Sequence, residues 1–271
     1  MTQTNNSLRK NIRFAVFLAS AIMMLVCEVF RDNIFGSFEN SELIYSLTSR
    51  FFGSVLCFVL VLHCGFSEIL KPIQRRALKN FLFVIPCWLI AINNFPILSV
   101  LNKDAYIQPD SIKLSLLALQ CLLVGIFEEL AYRGCVFMLI LKSKHNSRSD
   151  IFSSVIISSA LFGAIHLVNL AAGANPVAVL LQVGYSFLIG AMCSFVLIKT
   201  GNIWHCALIH AVYNFCGAVV GELGGGTVWT VSEIILTAAV ATAVTAYVFI
   251  AMMKIRTEEV DALFHKQKEL S

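Results

Sequence analysis

Apolar residues in this sequence come in blocks of about twenty, the length an α-helix needs to cross roughly 30 Å of hydrocarbon at about 1.5 Å per residue. Eight such blocks can be read, over residues 12–30, 47–66, 80–101, 113–141, 151–170, 177–198, 203–220 and 229–253. Lipid offers backbone N–H and C=O groups no partner, so each block has to pair its own, and a helix does that within the segment. The expected fold is therefore all-α: a polytopic bundle of about eight transmembrane helices in one domain over 1–271, with its polar site inside the bundle. Composition agrees, with 58% hydrophobic and 13% charged residues against about 45–50% apolar and about 25% charged in soluble domains. The breaks hold the expected polar and helix-ending residues, among them Arg31, Asp32, Asp110, and the stretches 71–79, 142–150, 173–176 and 221–226.

The first block is too long for the apolar part of a cleavable export signal and reads as a retained helix. Lys and Arg gather on the N-terminus (residues 1–11 and Arg13), the even-numbered loops and the tail over 254–271. The odd loops, counted with the adjoining ends of the blocks, carry only Arg31, Arg50, Lys103 and Lys113. By the positive-inside rule both termini are cytoplasmic, and the tail reads as a short solvated helix. The nine cysteines lie almost wholly inside apolar blocks, as packing residues and not a disulfide frame. A net charge of +4, grouped in loops, argues against a nucleic-acid partner. The partners expected are the bilayer and something that lives in it.

The informative residues are the polar ones inside the blocks. Block four reads LLALQCLLVGIFEELAYRGCVFMLIL and carries Glu128, Glu129 and Arg133 near its middle, where a charge costs about 2.5–3.5 kcal/mol on insertion scales. Glu129 and Arg133 are four apart and can pair on one helical face. Glu128 has no such local partner and is expected to face the bundle interior or a wet cavity. The alternative is a structural polar cluster that locks helices together, but an ion pair of that kind needs one carboxylate, not two. Block five ends in LFGAIHL, with Phe162 and His166 one turn apart. Block seven reads IWHCALIHAVYNF, with His210 and Asn214 one turn apart. Taken singly, each is as well read as a packing residue. His205 falls on another face and is assigned no chemistry. Measured from the cytoplasmic end at about 1.5 Å per residue, Glu128 lies near ~20 Å, His166 near ~22 Å, Asn214 near ~18 Å and His210 near ~12 Å, so the four can share a site.

Peptide hydrolysis needs a base for water and donors for the oxyanion. Glu128 with His166 can supply the first, and His210 with Asn214 the second, with Glu129 and Arg133 fixing the helix behind them; spacing does not decide which of the two glutamates is the base. No GxSxG turn is present and no cysteine falls among these positions, which argues against a serine or cysteine nucleophile. A zinc site built from Glu128, His166 and His210 is the cofactor alternative, without the HExxH pattern of a helix-borne zinc site; no cofactor is the favoured reading. Buried glutamates and histidines also build proton relays, but the repeated halves and matched broken helices of transporters are missing.

The ordered motifs Glu128-Glu129-xxx-Arg133, Phe162-xxx-His166 and His210-xxx-Asn214, with Trp204 shortly before the third, resemble the CPBP family over about residues 110–220. That family, also called Abi, covers CAAX prenyl endopeptidases and bacteriocin-processing or bacteriocin-immunity proteins. The resemblance implies an intramembrane endopeptidase in which Glu128 and His166 activate water and His210 and Asn214 form the oxyanion hole. It also implies a membrane-associated peptide or protein substrate, either prenylated or a bacteriocin or pheromone precursor, and a place in a bacterial plasma membrane. Members have been described both as metalloproteases and as glutamate-dependent proteases. Others act without catalysis, as immunity or regulatory proteins that bind in the membrane, and that is the alternative function.

Overall fold

A computed structural model describes residues 2–36, 40–72 and 75–264. Its eight main helices are α1 (Thr2–Val29), α2 (Ser41–His63), α3 (Phe81–Asn93), α4 (Ser111–Ser143), α5 (Arg148–Ile165), α6 (Pro176–Thr200), α7 (Ile203–Leu223) and α8 (Val231–Met252). Among the described residues six apolar helical stretches are long enough to span a membrane: α2, α4, α6, α7, α8 and the run Arg148–Ala171 that begins with α5. The apolar part of α1, Asn11–Cys27, and α3 are shorter. The chain is an all-α, polytopic membrane protein.

The helix ends follow from the sequence. Asp110 caps α4 by accepting from the N–H of Lys113, and Ser147 and Asp150 close a reciprocal capping box on α5. Asn175 accepts from the N–H groups of Val177 and Ala178, ahead of Pro176 in the first turn of α6. Gly201 ends α6 in the left-handed region at φ 67°, and Asn202 then caps α7 at the N–H of Trp204.

Three expectations about the elements need correction. The apolar block over 80–101 is not one helix: α3 stops at Asn93, Pro96 interrupts the run, and a five-residue helix, Ile97–Leu101, follows. The block over 151–170 breaks at Ile165, so His166 sits at the helix end, followed by a four-residue helix, Val168–Ala171. The tail is not freely solvated as far as Phe264. Its helix Thr257–Asp261 buries Val260, Leu263 just beyond it is buried too, and Glu259 pairs with Lys199 of α6 at 2.6 Å. The rest of the tail, 265–271, lies outside the described residues.

At the opposite end of the bundle two three-residue strands, Ala105–Ile107 (β1) and Gly224–Gly226 (β2), pair antiparallel with Ile107 against Gly224. A Cβ on Gly224 would lie 1.7 Å from the carbonyl oxygen of Tyr106, so only glycine allows the pairing. Beside them Glu233, fully buried at the start of α8, accepts the N–H groups of Leu98 and Ser99 at 2.8 and 3.1 Å. The largest cluster of buried apolar residues centres on the inner half of α6, from Met192 to Ile198, between α3, α4 and α7.

Candidate active site

The site begins at the seam between α4 and α7. A Cβ on Gly125 would stand 2.6 Å from the carbonyl oxygen of Ala207 and 3.0 Å from the nitrogen of Ala211. Glycine therefore lets the two backbones approach, and the next turn of α4 is pressed against the turn of α7 that bears His210. Directly after Glu129 the α-helix loosens into a π-helical segment, Leu130–Phe137. Such wide turns are rare and tend to mark functional sites. This one carries Arg133.

Glu129 and Arg133 are both fully buried. Glu129 Oε1 accepts from Arg133 Nη1 at 3.0 Å and is bonded to His210 Nδ1 at 2.8 Å. A carboxylate that meets Nδ1 fixes the proton on that nitrogen, so Nε2 is left to face the site. It lies 3.5 Å from Glu128 Oε2, and the Glu128 side chain keeps 20% of its exposure. The two adjacent glutamates thus differ in kind: Glu129 is sealed and committed to two partners, whereas Glu128 is open and loosely held.

Phe162 joins the remaining parts. Its ring lies under the Arg133 guanidinium at 4.4 Å and meets His166 edge-on at 5.4 Å and His210 edge-on at 5.8 Å; Tyr132 packs against it at 4.8 Å. His166 Nδ1 donates to the Phe162 carbonyl oxygen at 3.0 Å, leaving Nε2 free of that bond. Five of the expected residues, Glu128, Glu129, Arg133, Phe162 and His210, are therefore in one contact network, and His166 joins through Phe162. The recorded partner of Glu128 is His210, not His166. Asn214 stands apart from these contacts and lines a cavity of about 680 Å³ between α8 and the helices α3 to α7, together with Tyr185 and Tyr213. That cavity borders the site without containing its carboxylates.

Sequence reasoning missed two contributors. Gly190 of α6 lets that helix reach both neighbours at once: a Cβ there would be 2.9 Å from Arg133 Nη2 and 3.1 Å from Ser159. Around this point Glu129 Oε2, Arg133 Nε and Nη2, and the hydroxyls of Ser158 and Ser159 are buried and unpaired within the protein. The second is Arg50, expected in a loop at the mouth of a span. It lies instead ten residues into α2, with its guanidinium 5.2 Å over the ring of Phe127, the residue before Glu128. A contact of that type contributes about 0.5–2 kcal/mol, less than the roughly 2.5–3.5 kcal/mol that a mid-bilayer charge costs.

Residues 110–216 match the family model described as Type II CAAX prenyl endopeptidase Rce1-like. This segment is similar to the CAAX prenyl endopeptidases of that description. It runs from the cap of α4 into α7, short of half the chain, and takes in every motif residue from Glu128 to Asn214, whereas Arg50 and α8 lie outside it. The contact network, from Glu128 to His210, lies within the matched segment. Comparison with the curated proteins and with the solved structures finds no match.

Among the described residues no three His, Cys, Asp or Glu side chains are grouped closely enough to hold an ion, and Glu129 Oε1 is already shared by Arg133 and His210. Glu128, His166 and His210 as they stand are not grouped to hold a zinc ion.

Proposed function

We propose that this chain is a membrane endopeptidase of the CAAX-protease type, which hydrolyses a peptide bond in a membrane-associated peptide or protein. The observation that carries it is the division of labour between the two glutamates: one sealed against Arg133 and His210, the other accessible and within 3.5 Å of His210 Nε2. In this reading Glu128 takes a proton from water as the water oxygen bonds to the carbonyl carbon, and His166 Nε2 accepts from the same water to orient it. The carbonyl π pair moves onto oxygen. That oxyanion accepts from the Asn214 amide and, when His210 carries both protons, from its Nε2–H. The C–N bond then breaks as Glu128 passes its proton to the leaving amine. General-base help of this kind contributes about 10²–10⁴-fold in rate, and one oxyanion donor about 10²–10³-fold. Glu129 and Arg133 do not touch substrate; they hold the His210 ring.

The glutamate-dependent version is preferred over a zinc-dependent one because the Glu128 carboxylate faces an imidazole in place of a cluster of donors. We also assign both termini to the cytoplasm, from the distribution of Lys and Arg. The deciding experiment uses purified protein in lipid vesicles with a library of membrane peptides. Wild type is expected to cleave, while Glu128→Ala, His166→Ala and His210→Ala are expected to fold and fail to cleave. Cleavage that survives all three substitutions rejects this site, and a wild type that binds but never cleaves favours an immunity or regulatory protein. Metal analysis and chelation check the zinc version: activity lost to a chelator and restored by zinc would replace the mechanism above.

A further inference from the structure

The cavity of about 680 Å³ beside Asn214 leads to the groups that carry the proposed chemistry. Val124 of α4 lines it, and Glu128 is one turn further along the same face of that helix. Asn214 of α7 lines it too, and His210 is one turn back along the same face. The two helices are antiparallel: Gly125 meets Ala207 and Ala211, while Leu117 and Cys121 pack in one cluster with Val219, Val220 and Leu223. One turn on from Val124 and one turn back from Asn214 therefore lead the same way, and they end where Glu128 and His210 meet at 3.5 Å. The cavity is large enough for several amino-acid residues, and its wall is mostly apolar.

Asn94, just past the end of α3, stands in that wall. Its Nδ2 donates to the Tyr213 carbonyl oxygen at 2.8 Å. A carbonyl can only accept, so the amide cannot turn over, and Oδ1 is held as an acceptor. Glycine admits the amide to α7: a Cβ on Gly217 would stand 2.4 Å from Asn94 Nδ2. Among the described residues Oδ1 has no partner, and it is not sealed from solvent. Because the Tyr213 carbonyl is joined to Asn214, this acceptor is fixed beside the proposed oxyanion donor. A lipid acyl chain offers it nothing. A peptide does, since each main-chain N–H taken into an apolar cavity needs a partner.

We propose that Asn94 accepts a hydrogen bond from a main-chain N–H of the peptide being cut, two or three residues from the cut bond. Tyr213 and Gly217 lie three and seven residues past His210, about 5–10 Å along α7, which an extended peptide covers in two or three residues at about 3.3 Å each. The proposal rests on the protease reading above. It makes Asn94 a substrate-binding residue that reads the main chain and not a side chain, and it places that residue outside the matched segment 110–216.

The test removes single N–H groups from the peptide. An apolar ten-residue peptide is selected from the membrane library by its binding to full-length Glu128→Gln protein in lipid vesicles, where catalysis plays no part, and is labelled with fluorescein. It is then remade with each main-chain amide in turn replaced by an ester, which keeps the shape and deletes the donor. One ester, two or three residues from the bond that wild type cuts, is expected to bind at least about tenfold more weakly than the parent. When Asn94→Leu is added, that ester and the parent should bind alike, while the pattern at the other positions stays. Gly217→Ala, which pushes the Asn94 amide aside, should level them too and keeps the test decisive if Asn94→Leu does not fold. No binding by any peptide, no ester position that stands out, a gap elsewhere in the peptide, or a gap that persists in both variants overturns the proposal. Wild type with the same library reports cleavage. An Asn94-dependent gap with no peptide cut would sink the protease reading and leave the peptide site standing; cleavage that Glu128→Ala abolishes, without such a gap, does the reverse.

Discussion

At the scale of single residues, the two glutamates predict opposite failures. Glu128→Gln keeps the shape of a side chain that meets His210 at 3.5 Å. It should lower kcat by at least about 10²-fold with a melting temperature close to wild type. Glu129→Gln removes the partner of a buried guanidinium and of His210, and breaking a buried pair from one side costs roughly 3–5 kcal/mol. Thermal unfolding should show that loss, and Glu129→Gln combined with Arg133→Met should be less destabilised than the sum of the two single changes, since no charge is then left unpaired. Spacing alone announced that Glu129 and Arg133 could pair, because i and i+4 share a face of a helix. It did not announce that His210 would join them, since that contact joins residues 81 apart.

At the scale of elements, the site is a matter of how closely helices approach. Gly125→Val inserts bulk where a single Cβ already meets Ala207 oxygen at 2.6 Å, so α4 and α7 must part and Glu128 and Glu129 leave His210. We expect activity to vanish while helical content by circular dichroism is kept. Gly190→Ala should act alike from the other side, displacing Arg133. Gly221→Ala, where a Cβ meets nothing within 4 Å, is the matched control and should change nothing measurable. Helix existence was legible in the apolar blocks, and the breaks at Asp110, 142–150 and 173–176 fell where Asp110, Ser147 and Asn175 cap the helices that follow. The break after Ile165, which puts His166 at a helix end, and the π-helical turn after Glu129 were not, because each depends on how neighbouring helices press on the segment.

At the scale of the whole molecule, the two ends are closed differently. One end is tied by Glu233 to the N–H groups of Leu98 and Ser99. Glu233→Ala strands those donors, each at about 1–3 kcal/mol, and should lower thermal stability while leaving the rate per folded molecule unchanged. The other end holds the tail helix through Glu259 and Lys199. Reporter fusions to either terminus should read as cytoplasmic; an outward reading at one end would correct the assigned orientation.

The sequence by itself determined that this chain is a bundle of membrane helices and that Glu128, Glu129, Arg133, Phe162, His166, His210 and Asn214 are its anomalous or motif-bearing residues, because hydrophobic length and helical period are local properties of the chain. Only the tertiary structure decided which glutamate is sealed, that Phe162 joins the two histidines, and that Arg50 lies within α2 against the Phe127 ring. Those facts depend on distances between helices, and where glycine lets backbones meet across the bundle is set by packing, not by neighbours along the chain.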